Sequence, residues 1–215
     1  MRALWIAVKS RTDHATPLVT IVALALASTA AIAQPTVALE LEGVRFAPTV
    51  DAGGARFDLN CVGLLRYKVF IKASVAAFYL GAGVAPEDAL ADVPKRLELH
   101  YFWSIGSTDF AKAADRLVRE NVDSKTLEQL GPRIAQINGL YEDIRPGDRY
   151  ALTYVPGVGT ELALNGHRKG MIPGADFADA YFRIWLGERP LDTALRDRLL
   201  GCESLAGRTA DTPVS

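Results

Sequence analysis

The chain reads as an α+β protein with a mostly antiparallel sheet. Its elements come in blocks of strands, helices, strands and helices again, not as alternating strand and helix units. The pair Asn165-Gly166 between two strand-like runs is a strong two-residue hairpin signal, so at least part of that sheet is antiparallel. No internal repeat, heptad or low-complexity block competes with this reading.

Taken in order, Val37 to Phe46 alternates loosely and is rich in strand formers, Asp51-Ala52-Gly53-Gly54 marks a turn, and Arg56 to Cys61 completes an expected β-hairpin. Tyr67 to Leu80 is dense in Val, Ile, Phe and Tyr with no breaker, which predicts one long central strand ended by Gly81-Ala82-Gly83. Pro86 to Asp92 suits one or two helical turns, with Pro86 tolerated at the first position. Arg96 to Ser104 predicts another strand, with Leu97, Leu99, Tyr101 and Trp103 on one face by period two.

Ser107 and Thr108 are candidate caps for a helix whose Phe110, Ala113, Ala114, Leu117 and Val118 form one apolar stripe. Leu127, Leu130, Ile134, Ile137 and Tyr141 continue at helical spacing, but Gly131-Pro132 and Asn138-Gly139 predict a broken or bent helix. Arg149 to Val155, Thr160 to Leu164 and His167 to Ile172 follow as three antiparallel strands. Ala175 to Leu186 predicts a helix buried through Phe177, Ala178, Tyr181, Phe182 and Trp185, terminated by Gly187. A short helix from Leu191 to Leu200 closes the domain.

With 215 residues the chain suits one domain that can bury its own core. The formal net charge of −1, with both signs spread along the chain, builds no basic stripe, so nucleic acid is not an expected partner. Arg2, Lys9 and Arg11 form a positive start, Pro17 to Ala30 is an almost unbroken apolar run, and Ala31-Ile32-Ala33 supplies small residues for cleavage. Residues 1–33 therefore read as a signal peptide, 34–202 as the domain and 203–215 as a flexible tail. The apolar run is shorter than the roughly 20 residues that cross a bilayer, so a periplasmic or secreted protein without a stable membrane span is expected. Cys61 and Cys202 would be free to pair in an oxidising compartment; the alternative is two buried thiols acting as small hydrophobes.

Of the histidines, His14 lies in the export segment, and His100 and His167 are far apart with no cysteine cluster, so no metal or other cofactor is expected. No serine sits in a Gly-x-Ser-x-Gly elbow, and Gly157-Val158-Gly159 lacks the third glycine and the helix of a phosphate loop. On the expected central strand, Arg66, Lys68, Phe70, Lys72, Ser74, Ala76 and Phe78 share one face by period two. Lys68 and Lys72 read as lysines that reach solvent along an exposed face. Arg66 differs, because a guanidinium can clamp a carboxylate through two parallel hydrogen bonds, which would suit an acid-headed guest with an apolar tail.

Several segments together resemble the bacterial chalcone-isomerase-like domain proteins: Glu42-Gly43-Val44-Arg45-Phe46, Gly63-Leu64-Leu65-Arg66-Tyr67-Lys68 leading into Ala77-Phe78-Tyr79-Leu80, Tyr154-Val155-Pro156-Gly157, and Ile172-Pro173-Gly174-Ala175-Asp176-Phe177 through Ile184-Trp185-Leu186-Gly187. The resemblance implies an open-faced β-sandwich, with a long antiparallel sheet, a helical layer against it and a ligand cleft between. Plant enzymes of this fold close a chalcone to a flavanone, and their plastid relatives bind fatty acids without turnover. The enzymes use an arginine and a threonine on the central strand, then a tyrosine and an asparagine on the next helix. Arg66 matches the arginine and Ser74 the threonine, but Phe110 stands in place of the tyrosine and Leu117 in place of the asparagine. Phe and Leu donate no hydrogen bond, and losing one positioned donor costs on the order of a hundredfold in rate.

The expected function is therefore binding of a fatty acid or similar small apolar carboxylate in that cleft, with Arg66, Ser74, Tyr101, Phe110 and Leu117 around it. An isomerase or lyase acting on a chalcone-like or other small hydrophobic substrate in the same cleft, with the Tyr101 hydroxyl or a water as acid–base, and a structural envelope partner, are the alternatives. Tyr101 also reads as an ordinary packed core tyrosine.

Overall fold

The computed structural model describes residues 38–67 and 71–201. The expected signal peptide, the tail and Cys202 lie outside the described residues. Strands β1 (Leu39–Leu41) and β2 (Val44–Phe46) form a small hairpin of their own. Val37 to Phe46 is thus not one strand. Glu42 and Gly43 both have positive φ, 55° and 76°, as a two-residue turn that follows the twist of its strands requires. A glutamate in the left-handed region carries no sequence signature, which is why the turn was not expected.

β3 (Thr49–Ala52) and β4 (Ala55–Tyr67) are joined at Gly53-Gly54, where the turn was expected. β4 is much longer than the segment to Cys61 and pairs along its length with β5 (Ile71–Gly81), Tyr67 opposite Ile71. The expected central strand from Tyr67 to Leu80 is corrected accordingly: the chain reverses direction between those residues. A run of strand formers without Gly or Pro hides such a reversal, because composition is alike on both arms. Arg66 and Ser74 consequently sit on neighbouring strands, and the shared face inferred for them by alternation does not run through.

β6 (Lys95–Tyr101) is followed by α1 (Ser107–Asn121), α2 (Ser124–Asn138), β7 (Arg149–Val155), β8 (Gly159–Leu164), β9 (His167–Ile172), α3 (Ala175–Leu186) and α4 (Thr193–Leu200). The seven strands β3 to β9 form one antiparallel sheet in chain order. Trp103, expected on one strand face with Leu97, Leu99 and Tyr101, lies beyond the end of β6, is 58% exposed, and donates its indole N–H to the Lys72 carbonyl at 2.8 Å.

α1 is capped at a distance. Its N-cap residue is Gly106, and the Asp143 carboxylate accepts from the Ser107 backbone N–H at 2.7 Å and from its hydroxyl at 2.9 Å. Neither Ser107 nor Thr108 is therefore the N-cap itself. α2 is unbroken although Pro132 lies inside it. Pro132 and Glu128, whose carbonyl the proline leaves without a donor, are both exposed, on the face of the helix where solvent can satisfy such a group. Burial of Leu130, Ile134 and Ile137 on the other side then offsets the roughly 3 kcal/mol that an interior proline costs.

Alternation along the strands produces two apolar layers. On one side Val75, Ala77 and Tyr79 meet Phe57, Leu59 and the hairpin residues Val44 and Phe46. On the other, Ala76, Phe78, Leu97, Leu99 and Leu152 meet the four helices. α4 lies close over β4 at Gly63, where an added Cβ would stand 2.6 Å from Leu195. Asn60 also donates to the Leu199 carbonyl there, at 2.7 Å. Cys61, next to it, is disulfide-bonded, so the thiol reading does not hold for it.

Candidate functional site

The site grows from one side of the alternation. Ser74 on β5, Leu99 and Tyr101 on β6, Tyr150 and Leu152 on β7 and Leu162 on β8 point from the sheet toward the helices. Phe110, Ala114 and Leu117 reach down from α1, and Ile184 and Trp185 from α3. Between these layers is a cavity of about 180 Å³. Its origin is a size mismatch on α1: Ala114 sits one turn from both Phe110 and Leu117, so its short side chain leaves space that its neighbours hold open.

The walls are hydrocarbon with a few hydroxyls. Ser74 is fully buried, and its Oγ has no hydrogen-bond partner. Leaving such a group unpaired costs about 1–3 kcal/mol. The Tyr101 hydroxyl also takes part in no hydrogen bond among the described residues, and burial holds its pKa well above the usual phenol value. Its ring stands edge-on to Phe110 at 5.4 Å and to Tyr150 at 6.4 Å.

Tyr141, just beyond α2, stacks on Phe110 at 5.2 Å and shares a 2.6 Å hydrogen bond with the Tyr181 hydroxyl. Burial pushes the Tyr141 phenol up to about 12, partly offset by that bond. The Tyr150 hydroxyl is used by the backbone, accepting from Glu142 N–H at 2.8 Å and donating to Glu142 C=O at 3.1 Å. Among the described residues on the rim, the one acidic side chain is that of Asp109, on the exposed first turn of α1.

Four of the five expected site residues are brought together: Ser74, Tyr101, Phe110 and Leu117 all line the cavity. Arg66 does not. It is exposed on β4, while its neighbour Leu65 faces the cavity. Between these two the β4–β5 register shifts, so Leu65 pairs with Ser74 but Arg66 with Lys72. The Lys72 ammonium in turn pairs with Glu42 of the β1–β2 hairpin, on the far side of the sheet. Tyr141, Tyr150 and Tyr181 were not foreseen. Tyr150 was within reach of sequence reasoning, because it shares its face of β7 with Leu152; Tyr141 was counted only as an apolar stripe residue of α2.

Among the described residues no group of three or more His, Cys, Asp or Glu is placed to hold a metal, and no helix is long and apolar enough to cross a membrane. What the arrangement can do is enclose a small apolar molecule and offer it two free hydroxyls.

The architecture is thus an antiparallel sheet with helices on one face and a hydroxyl-bearing apolar cavity between them. The chain belongs to the chalcone isomerase-like family, whose profile matches residues 38–201. A solved structure of a fatty-acid binding protein from Arabidopsis thaliana aligns with a TM-score of 0.59 at 15% sequence identity. The alignment covers 76% of this chain and 96% of the plant protein, and at that identity it shows a common fold. No curated protein matches the chain.

Proposed function

We propose that this protein binds a small apolar ligand between its sheet and its helices without turning it over, with a fatty acid or similar small apolar molecule as the first class to test. The observation that carries this reading is the cavity itself, walled by Leu99, Leu152, Leu162 and Phe110 and holding the unpartnered Ser74 hydroxyl. Family membership and the fatty-acid binding of the plant neighbour support it at the level of ligand class. Native mass spectrometry of the purified protein, followed by solvent extraction, tests it. An apolar compound of matching mass is expected. A protein that carries none, and whose melting temperature no apolar probe raises, would rule the reading out.

Tyr101 favours a second reading, an isomerase or lyase, because an unpartnered phenol in an enclosed apolar site could transfer a proton. Turnover of any chalcone that disappears in Tyr101→Phe would promote it. Export to the periplasm or beyond is part of the proposal, supported by the n-region and apolar run of residues 1–33 and by the disulfide at Cys61. Amino-terminal sequencing of the mature protein should begin at Gln34.

A further inference from the structure

We infer that the guest of this cavity carries an uncharged oxygen head group, such as an alcohol, a carbonyl or a protonated acid, held by the Ser74 and Tyr101 hydroxyls, and is not bound as a carboxylate anion. This rests on the binding role proposed above and specifies the ligand that role requires.

The charges around the cavity carry the argument. Among the described residues no lysine or arginine lines it, and the acidic side chain at its rim is that of Asp109. A helix N-terminus can receive an anion, and α1 begins at this end. That position is already filled, however, since the Asp143 carboxylate takes the Ser107 N–H and hydroxyl at 2.7 and 2.9 Å. Arg66 is exposed and does not line the cavity. An ionised head group entering here would lose its hydration, gain no counter-charge from the described lining residues and face the Asp109 carboxylate. Ser74 Oγ and the Tyr101 hydroxyl, by contrast, are neutral groups that can each donate a hydrogen bond and have none to make within the protein. A neutral oxygen satisfies both without importing charge.

Size narrows the class further. An apolar cavity of about 150 Å³ holds one benzene ring, so about 180 Å³ takes roughly seven to ten non-hydrogen atoms by the same measure. That is a single substituted ring or a chain near eight carbons. A longer tail would have to protrude between α1 and the sheet.

Isothermal titration calorimetry at about pH 8, where a carboxylic acid is fully ionised, compares octan-1-ol with octanoate on the full folded protein. Octan-1-ol is expected to bind at least about tenfold more tightly than octanoate. Ser74→Ala and Tyr101→Phe, which delete one hydroxyl each and keep the packing, should each weaken octan-1-ol by about threefold to tenfold. Arg66→Ala should leave both affinities unchanged. Octanoate binding as tightly as the alcohol, a loss of octanoate binding in Arg66→Ala, or unchanged alcohol binding in the Ser74→Ala/Tyr101→Phe double variant would each overturn the inference and leave the binding role standing. If neither probe binds, the inference and the binding role fall together.

Discussion

The two faces of the sheet draw on alternate residues of the same strands, yet they end differently. On the hairpin side, Phe46, Phe57 and Tyr79 are all fully buried, and none of the residues that line the cavity belongs to that layer. On the helix side more large side chains are buried, but a cavity of about 180 Å³ remains. Flat strands let side chains from the hairpin interdigitate with those of the sheet. Helices approach the same sheet as cylinders about 10 Å across, so the space beneath them closes only where a long side chain reaches down. Ala114 does not reach. The difference shows that the cavity follows from residue size on one helix turn and not from a shortage of apolar residues.

Alkaline titration should produce the largest effect, because it strains both faces at once. Burial raises the phenol pKa of Tyr79 in the hairpin layer and of Tyr101, Tyr141 and Tyr181 in the helix layer. Each folded pKa lies above the unfolded value near 10, so the stabilisation is complete below about pH 10 and is lost as pH rises through the folded values. Each such phenol steepens that loss by about 1.4 kcal/mol per pH unit. Phenolate absorbance should therefore appear cooperatively with unfolding, well above pH 10. Phenols that ionise near pH 10 in the folded protein would mean that the helix face is open to water.

Lys95 acts in the opposite sense and over a different window. It is buried on the helix side, donates to the Ala89 and Ala91 carbonyls at 3.0 and 2.6 Å, and lies over the rings of Tyr154 and Phe182. Burial lowers its pKa to about 8, against the opposing pull of Asp179 and Asp92. Between about pH 8 and its unfolded value near 10.4 the native state binds fewer protons than the unfolded chain, so this group makes stability rise with pH there. Urea denaturation across that window should show a rise that Lys95→Met removes.

Single substitutions should separate the faces. Phe46→Ala, on the filled side, removes a fully buried ring that also carries the Arg149 guanidinium 4.5 Å above it. It should cost about 3–5 kcal/mol by urea denaturation. Ala114→Leu, on the side with the cavity, adds bulk where space exists. Its stability should move by less than about 1.5 kcal/mol in either direction, while uptake of octan-1-ol is lost. A large destabilisation by Ala114→Leu would mean that the cavity is not real space.

How much of this was legible in the sequence differs between the same two regions. The helix-side residues repeat at regular spacing, so the stripe through Phe110, Ala114 and Leu117 and the period-two set through Leu99 and Tyr101 were read correctly, and four of the five expected site residues line one cavity. The hairpin side depended on turns. Glu42-Gly43 adopts a left-handed pair that only one of its residues advertises, and the reversal after Tyr67 has no glycine or proline to mark it. That second error displaced Arg66, because alternation carried through an unseen reversal assigns the wrong face. The distant Asp143 cap on α1 and the Tyr141–Tyr181 hydroxyl pair join residues 36 and 40 positions apart, and no local pattern encodes such contacts.

The smallest expected effect isolates what the cavity adds. Both faces bury hydroxyls without a partner, among them Ser74 on the helix side and Tyr79 on the hairpin side. In ligand-free protein, Ser74→Ala and Tyr79→Phe should each stabilise slightly, by up to about 1 kcal/mol, because each removes an unpaired buried group. With octan-1-ol present the two should part. A guest that accepts a hydrogen bond from Ser74 raises the melting temperature of the wild type and of Tyr79→Phe alike, but raises that of Ser74→Ala less. Equal ligand-induced shifts in all three proteins would mean that the two orphan hydroxyls are equivalent packing faults, and that the cavity-facing one has no part in holding a guest.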